Sequence, residues 1–454
     1  MRRALLVGAC LMGCSWSNSL YRARQLASSA ERAERQDRTE EAATIWGQVA
    51  VKAESAYARN ATGRRGGEAL WLRGRASARL GDCSGAIPLL EQAGLQADGA
   101  GWQETVDLDL ARCRTRSDDP SSALAALRVL LTSRDETIQR EARTLSGRAL
   151  VRAGRWEEAL DALRDDDTED GRWQRAIAAA HLGRTAEVLA LTESRILRGD
   201  SLVNWPELLT PLGTHGAASV DSLLTVLGAM PLVGAPTRQR WQYAAAAGLA
   251  ERDPVESERR LQALVTAKEE GPGANSARIA LATRRMSAVS DSSTLEAALV
   301  RLRVLEVGGG SAAFVIRPML RVGDGIVADI ASHPADSALG DLAFFHQAQI
   351  ARDSLLAPVL ADWLLGEIEH RWPSSPYLVK SMLVRIVLRP DSAAAIRERV
   401  RLFPDSPYLR YLDGREGRAF AVLEDSLERY LSLRATLRPE ISDDKARPGV
   451  SDFE

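Results

Sequence analysis

The chain is short of cysteine, lysine and aromatic residues, and each shortage closes a class of function. Of 454 residues, four are Cys and 5 % are Phe, Trp or Tyr. Only Lys52, Lys268, Lys380 and Lys445 are lysines; the remaining basic residues are Arg, read as a bias spread over solvated helix faces. The formal net charge is −2 and the pI about 6.3, so no global positive field exists to collect nucleic acid. No stretch reaches the ~20 apolar residues that a membrane-spanning helix needs. The five histidines (His181, His215, His333, His346, His370) are scattered, and no two have the i, i+4 spacing of a zinc helix. Gly308-Gly309-Gly310-Ser311 lacks the Lys-Ser/Thr of a phosphate loop and reads as a break between helical blocks. No nucleophile sits with a base, so no catalytic residue, metal, cofactor or small-molecule substrate is expected.

What is present is helix-forming and repetitive. Apolar residues make up 45 % and charged residues 26 %, with Ala, Leu and Arg dominant, a mixture that loses little side-chain entropy in a helix. Gly74, Gly81, Ala86 and Leu90 recur at identical spacing as Gly147, Gly154, Ala159 and Leu163. Ala30, Asp37, Ala42, Trp46 and Ala111, Asp118, Ala123, Leu127 fill the same four places. Small residues before and after a turn, followed by a bulky apolar one, describe two short helices crossing closely. The first and third residues of each set are expected to face each other where only Gly or Ala fits.

Steps of thirty-seven residues from Gly74 to Ala111 and thirty-six from Ala111 to Gly147 match the tetratricopeptide length. The copies resemble the tetratricopeptide family, carried best by residues 69–74, 80–87 and 153–160. That resemblance implies an all-α fold, a right-handed α-α superhelix of antiparallel helix pairs, with a concave groove that binds proteins or peptides. Well-kept units are expected over 26–170 and worn helical pairs over 171–306, where Val188, Ala245 and Ser257 stand in the small places. Breakers are read at Trp205-Pro206, Leu212-Gly213, Pro231, 234–236 and 271–273. Over 311–435 another phrase repeats: Arg371-Trp372-Pro373-Ser374-Ser375-Pro376-Tyr377 and Leu402-Phe403-Pro404-Asp405-Ser406-Pro407-Tyr408. An aromatic before Pro closes one helix and Pro-Tyr opens the next. Similar phrases occur in tetratricopeptide-like envelope proteins, including the lipoprotein of the β-barrel assembly machinery and the superhelical part of soluble lytic transglycosylases. A last helix is expected from Glu416 to about Arg434, then a disordered tail over 436–454.

The N-terminus reads as an address. Arg2-Arg3 precedes an apolar run from Ala4 to Gly13, and Leu11-Met12-Gly13-Cys14 resembles the lipobox of bacterial lipoproteins. The resemblance implies a signal peptide over 1–13, a lipidated Cys14, a polar tether over 14–25 and delivery to the periplasmic side of the outer membrane. Export would place Cys83 and Cys113 in an oxidising compartment near the same end of neighbouring helices; a disulfide and two buried thiols both fit. The expected function is a non-catalytic, lipid-anchored scaffold for envelope proteins. The alternatives are a transglycosylase-like superhelix that acts on or binds peptidoglycan, with Glu367 as its acid, and a substrate-capture subunit for outer-membrane assembly or secretion.

Overall fold

The structure, a computed structural model, describes residues 2–437 apart from 37, 98–100, 117–118, 268–269, 308–309, 335–336 and 416, with side chains from 19 to 430. Asp37 and Asp118 of the repeat pattern, the side chain of Cys14 and the tail from 438 lie outside the described residues. Among those described there are 23 α-helices, two short 3₁₀ turns and no strand, the fold of a helical solenoid.

The chain divides into two compact units, residues 1–233 with 247–254, and 234–246 with 255–454. The division falls inside the stretch read as one worn block over 171–306, rather than at its ends.

The first unit contains α1 (Arg2–Arg35), α2 (Thr39–Arg59), α3 (Gly63–Arg79), α4 (Cys83–Leu95), α5 (Gln103–Arg116), α6 (Pro120–Leu130), α7 (Glu136–Arg152), α8 (Trp156–Ala162), α9 (Glu169–His181), α10 (Thr185–Leu197), α11 (Pro206–Thr214) and α12 (Ala217–Gly228). Each odd helix packs on the even helix after it. Helix starts are closed by carboxylates and a hydroxyl. Asp82 accepts from Gly85 N at 2.8 Å, Asp119 from Ser122 N at 3.1 Å and Thr168 from Gly171 N at 3.0 Å, satisfying backbone donors that a first turn leaves free. One expectation is corrected here. Residues 14–25 are helical, not a loose tether, and Leu20 and Ala23 are buried in the first pair's core, because apolar residues every three or four positions give α1 a packing face. Leu212-Gly213 marks the last turn of α11, which ends at Thr214 before α12 opens at Ala217, and an added Cβ on Gly213 would come within 2.6 Å of the backbone at Gly248.

The four-residue pattern divides between two jobs. Gly81 and Gly154 turn the chain between helices with φ of +91° and +72°, a region open to Gly at little cost. The nearest neighbour of Gly74 and of Gly147 is the bulky residue of the same set. A Cβ on Gly74 would lie 2.8 Å from Leu90 Cγ, and one on Gly147 only 2.2 Å from Leu163 Cγ. Ala30, Ala42, Ala86, Ala111, Ala123 and Ala159 are all buried, as are Trp46, Leu90, Leu127 and Leu163 in the fourth place. Gly147→Val is therefore expected to destabilise the first unit by about 1–3 kcal/mol through overpacking. Adding Leu163→Ala should give part of that back in a urea titration, and an unchanged midpoint in the single variant would refute the packing account.

The second unit contains α13 (Ala235–Gly248, its last two residues in the first unit), α14 (Pro254–Thr266, likewise its first), α15 (Pro272–Ser287), α16 (Ser292–Glu306), α17 (Ala313–Ser332), α18 (Gly340–Asp353), α19 (Pro358–Arg371), α20 (Leu378–Leu388), α21 (Ala393–Val400), α22 (Pro407–Leu412) and α23 (Arg418–Leu437). One core runs from Leu261 through Phe344, Leu365 and Met382 to Leu427. Ser257, in a small place, is buried and donates to Ala246 O at 2.7 Å. The repeated phrase does end helices, at Arg371 and Val400, and Pro407 opens α22 as expected. Pro376 does not open α20, which begins two residues later. The tyrosines of both copies instead seat α23: Tyr408 Oη donates to Glu424 at 2.8 Å and Tyr377 Oη to Leu423 O at 3.3 Å. Lys380 Nζ pairs with the same Glu424.

Candidate functional site

In the first unit the odd helices touch one another in sequence, α1 on α3, α3 on α5, α5 on α7, α7 on α9 and α9 on α11. The even helices α2, α4, α6 and α8 make no comparable contact with each other, whereas α10 and α12 do touch. The odd helices α1 to α11 therefore form one continuous face of this unit, and the small residues at 74, 111 and 147 lie on the helices that build it.

That face carries a repeated pair of arginines. One and five residues after the small residue of α3, α5 and α7 stand Arg75 and Arg79, Arg112 and Arg116, Arg148 and Arg152. Residues four apart share a helix face, so both tiers project from one side of each helix. The upper tier is threaded with acids. Arg75 pairs with Glu31 at 3.1 Å and lies 3.5 Å from Asp109, Arg112 donates to Asp109 at 2.8 Å and pairs with Glu141, and Arg148 pairs with Asp170 at 2.5 Å. Asp109 is 1 % exposed and also accepts from Trp71 Nε1 at 3.1 Å. In the lower tier Arg79 donates to Glu34 at 2.6 Å. Arg116 and Arg152 have no carboxylate partner among the described residues. Each reaches back to the preceding odd helix, Arg116 to Ala78 O at 3.1 Å and Arg152 to Arg116 O at 3.4 Å, onto the carbonyls of a helix C-terminus where a cation is favoured.

Between these helices lies a cavity of about 430 Å³. Its wall holds Arg79, Arg112, Arg116, Arg148 and Arg152 against only Glu141 and Asp170, with Gln174 of α9 at one side. Burial, and after it the nearby guanidinium of Arg79, pushes Arg112 down to about 10. Nε of Arg79 and Nε of Arg148 are buried and make no hydrogen bond. Crowded cations with spare donors give this cavity a positively charged wall; a carboxylate or phosphate accepts from such forks in pairs.

The other sequence candidates take structural places. Trp46, Trp71, Trp156 and Trp173, large amphipathic residues able to anchor a partner in a groove, are engaged within the unit: Trp46 donates to Glu34 at 2.7 Å, Trp71 stacks on Trp102, Trp156 stacks on His181 and Trp173 meets Trp205 edge-on. Cys83, which opens α4, and Cys113 of α5 are joined by a disulfide, with Cα atoms 5.2 Å apart. Among the histidines, His215 Nε2 contacts His181 O at 2.8 Å. Glu367 is held by Arg371 one turn on, at 2.7 Å. Among the described residues no three or more His, Cys, Asp or Glu side chains are grouped to hold a metal ion, and no described helix is long and apolar enough to cross a membrane. Gly310 begins a 3₁₀ turn, while Gly308 and Gly309 lie outside the described residues. Neither a family model nor a curated protein matches the sequence.

The arginine ladder is what sequence reading passed over. Its signal is the thirty-six to thirty-seven residue step of each Arg pair, in phase with the small residues. Residue counts alone treated those arginines as scattered.

Proposed function

We propose that this chain is a non-catalytic scaffold of the tetratricopeptide class, held by a lipid on Cys14 at the periplasmic side of the outer membrane, that binds an envelope protein along the odd-helix face of its first unit. The arginine-walled cavity between α3, α5, α7 and α9 carries the reading. Its cations outnumber its acids, and it lies on the side where a stack of helix pairs offers an extended surface. The partner segment is acidic and extended, laid across successive helices so that its carboxylates meet Arg116 and Arg152. Catalysis has no comparable support, since Glu367, the acid that a transglycosylase reading needs, is neutralised by Arg371 on its own helix.

The test places a photo-crosslinking residue at Gln174, on the cavity wall, and at Val129, exposed on α6. A discrete crosslinked species is expected from Gln174 and none from Val129, and Arg116→Glu with Arg152→Glu should remove it. Equal yields from both positions, or a yield indifferent to the charge reversal, would overturn the proposal.

A further inference from the structure

A second basic surface lies at the end of the first unit from which α1 runs back to Cys14. Arg59 Nη1, at the end of α2, donates to Ser19 Oγ at 3.0 Å. The Arg24–Glu68 pair, bonded through Nε and Nη2 to the two carboxylate oxygens, sets the start of α3 beside the same stretch of α1. Arg22, Arg59, Arg64 and Arg65 therefore share one level, and all four are exposed. Among the described residues Arg22, Arg64 and Arg65 make no ion pair or side-chain hydrogen bond. Glu68, the carboxylate at this level of α3, is taken by Arg24. Lys52 continues the patch beside Arg22 and Arg59 along a groove of about 690 Å³ between α1 and α2, whose lining contains no acid.

Folding alone does not favour this arrangement. Arg64 and Arg65 occupy the first turn of α3, which has no acidic residue, so two cations stand at the positive end of a helix dipole. A ligand of opposite charge relieves both the crowding and the dipole. The helix supplies its position: α1 is continuous from Arg2, so Ser19 lies about 8 Å of helix rise beyond Cys14 and Arg22 about 12 Å. Arginine side chains at that distance reach a surface potential that decays over about 8 Å.

We infer that this end of the first unit is a membrane-facing surface whose arginines bind the phosphates of anionic lipids. The inference rests on the reading that α1 leaves toward a membrane, and it adds a second attachment to the anchor at Cys14. A lipid anchor joined to a basic patch holds more firmly than either alone. Each cation near such a surface contributes about a fivefold gain in binding.

The experiment uses the full chain carrying Cys14→Ala, unlipidated, with sedimentation on vesicles of phosphatidylcholine alone or with phosphatidylglycerol. Binding to the phosphatidylglycerol vesicles at low salt, lost at high salt, is expected. Arg22→Glu, Arg64→Glu and Arg65→Glu together should weaken it about tenfold or more, whereas Arg301→Glu, Arg321→Glu and Arg397→Glu, exposed in the second unit, should not. Equal binding to both vesicles, or equal loss from the two triple variants, overturns the inference. Circular dichroism identifies a misfolded variant, and the milder Arg→Gln triple then serves in its place. The anchor is read separately: Cys14→Ala should release the protein from cell membranes, and unchanged retention overturns the anchor without touching the vesicle comparison.

Discussion

Asp109→Ala is expected to cost the first unit about 3–5 kcal/mol, the largest effect of any single substitution considered. Asp109 is 1 % exposed and is the hub of three interactions: Arg112 and Trp71 donate to it, and Arg75 lies 3.5 Å away. Removing the carboxylate leaves Arg112, whose side chain is 16 % exposed, facing Arg75 and Arg79 with Glu141 paired to it and Glu34 nearby. The penalty comes from stranding a buried cation, not from losing a favourable pair. Asp109→Leu combined with Arg112→Met is accordingly expected to be far more stable than Asp109→Ala, because both charges leave together. Urea unfolding followed by tryptophan fluorescence reads the effect, since Trp71 donates to Asp109 and stacks on Trp102. In a helical array the loss unfolds neighbouring pairs before the whole chain, so hydrogen exchange should show α3 to α7 opening first. A change below about 1 kcal/mol would refute the hub.

Reducing the Cys83–Cys113 bond is expected to lower stability by about 3–4 kcal/mol, from the entropy returned to an unfolded loop of 30 residues. The bond ties the second helix of one pair to the first helix of the next, so its loss loosens the junction between pairs more than either pair. The protein should carry Cys10→Ser and Cys14→Ala so that only these two cysteines remain. Denatured without reductant it should present no reactive thiol, and after reductant two. Its urea midpoint should then match that of the Cys83→Ala, Cys113→Ala double variant. Two thiols in the unreduced protein would sink the assignment.

The glycines show how one sequence pattern held part of the fold openly and part in disguise. Gly81 and Gly154 were legible as turns because a positive φ is a local property, set by the residue's own backbone. Gly74 and Gly147 were legible as close contacts, but their partners, Leu90 and Leu163, follow from the angle at which two helices cross. Gly213 closes α11 as a breaker should, and its missing side chain is also needed for packing against Gly248, which the sequence alone does not show. The run over 14–25 looked polar as a string, yet every third or fourth residue of its latter half is apolar or small and turns inward.

The candidate site divides in the same way. The sequence by itself determined an all-helical chain of paired helices with turns at Gly81 and Gly154 and small residues at the crossings, because these depend on residues within one repeat. Only the tertiary structure decided that six arginines on three helices line one face, that two of them lack carboxylates, that Asp109 is buried among the others, and that Cys83 meets Cys113. Those facts join residues about thirty to forty positions apart, and the distance between them is set by how successive pairs stack.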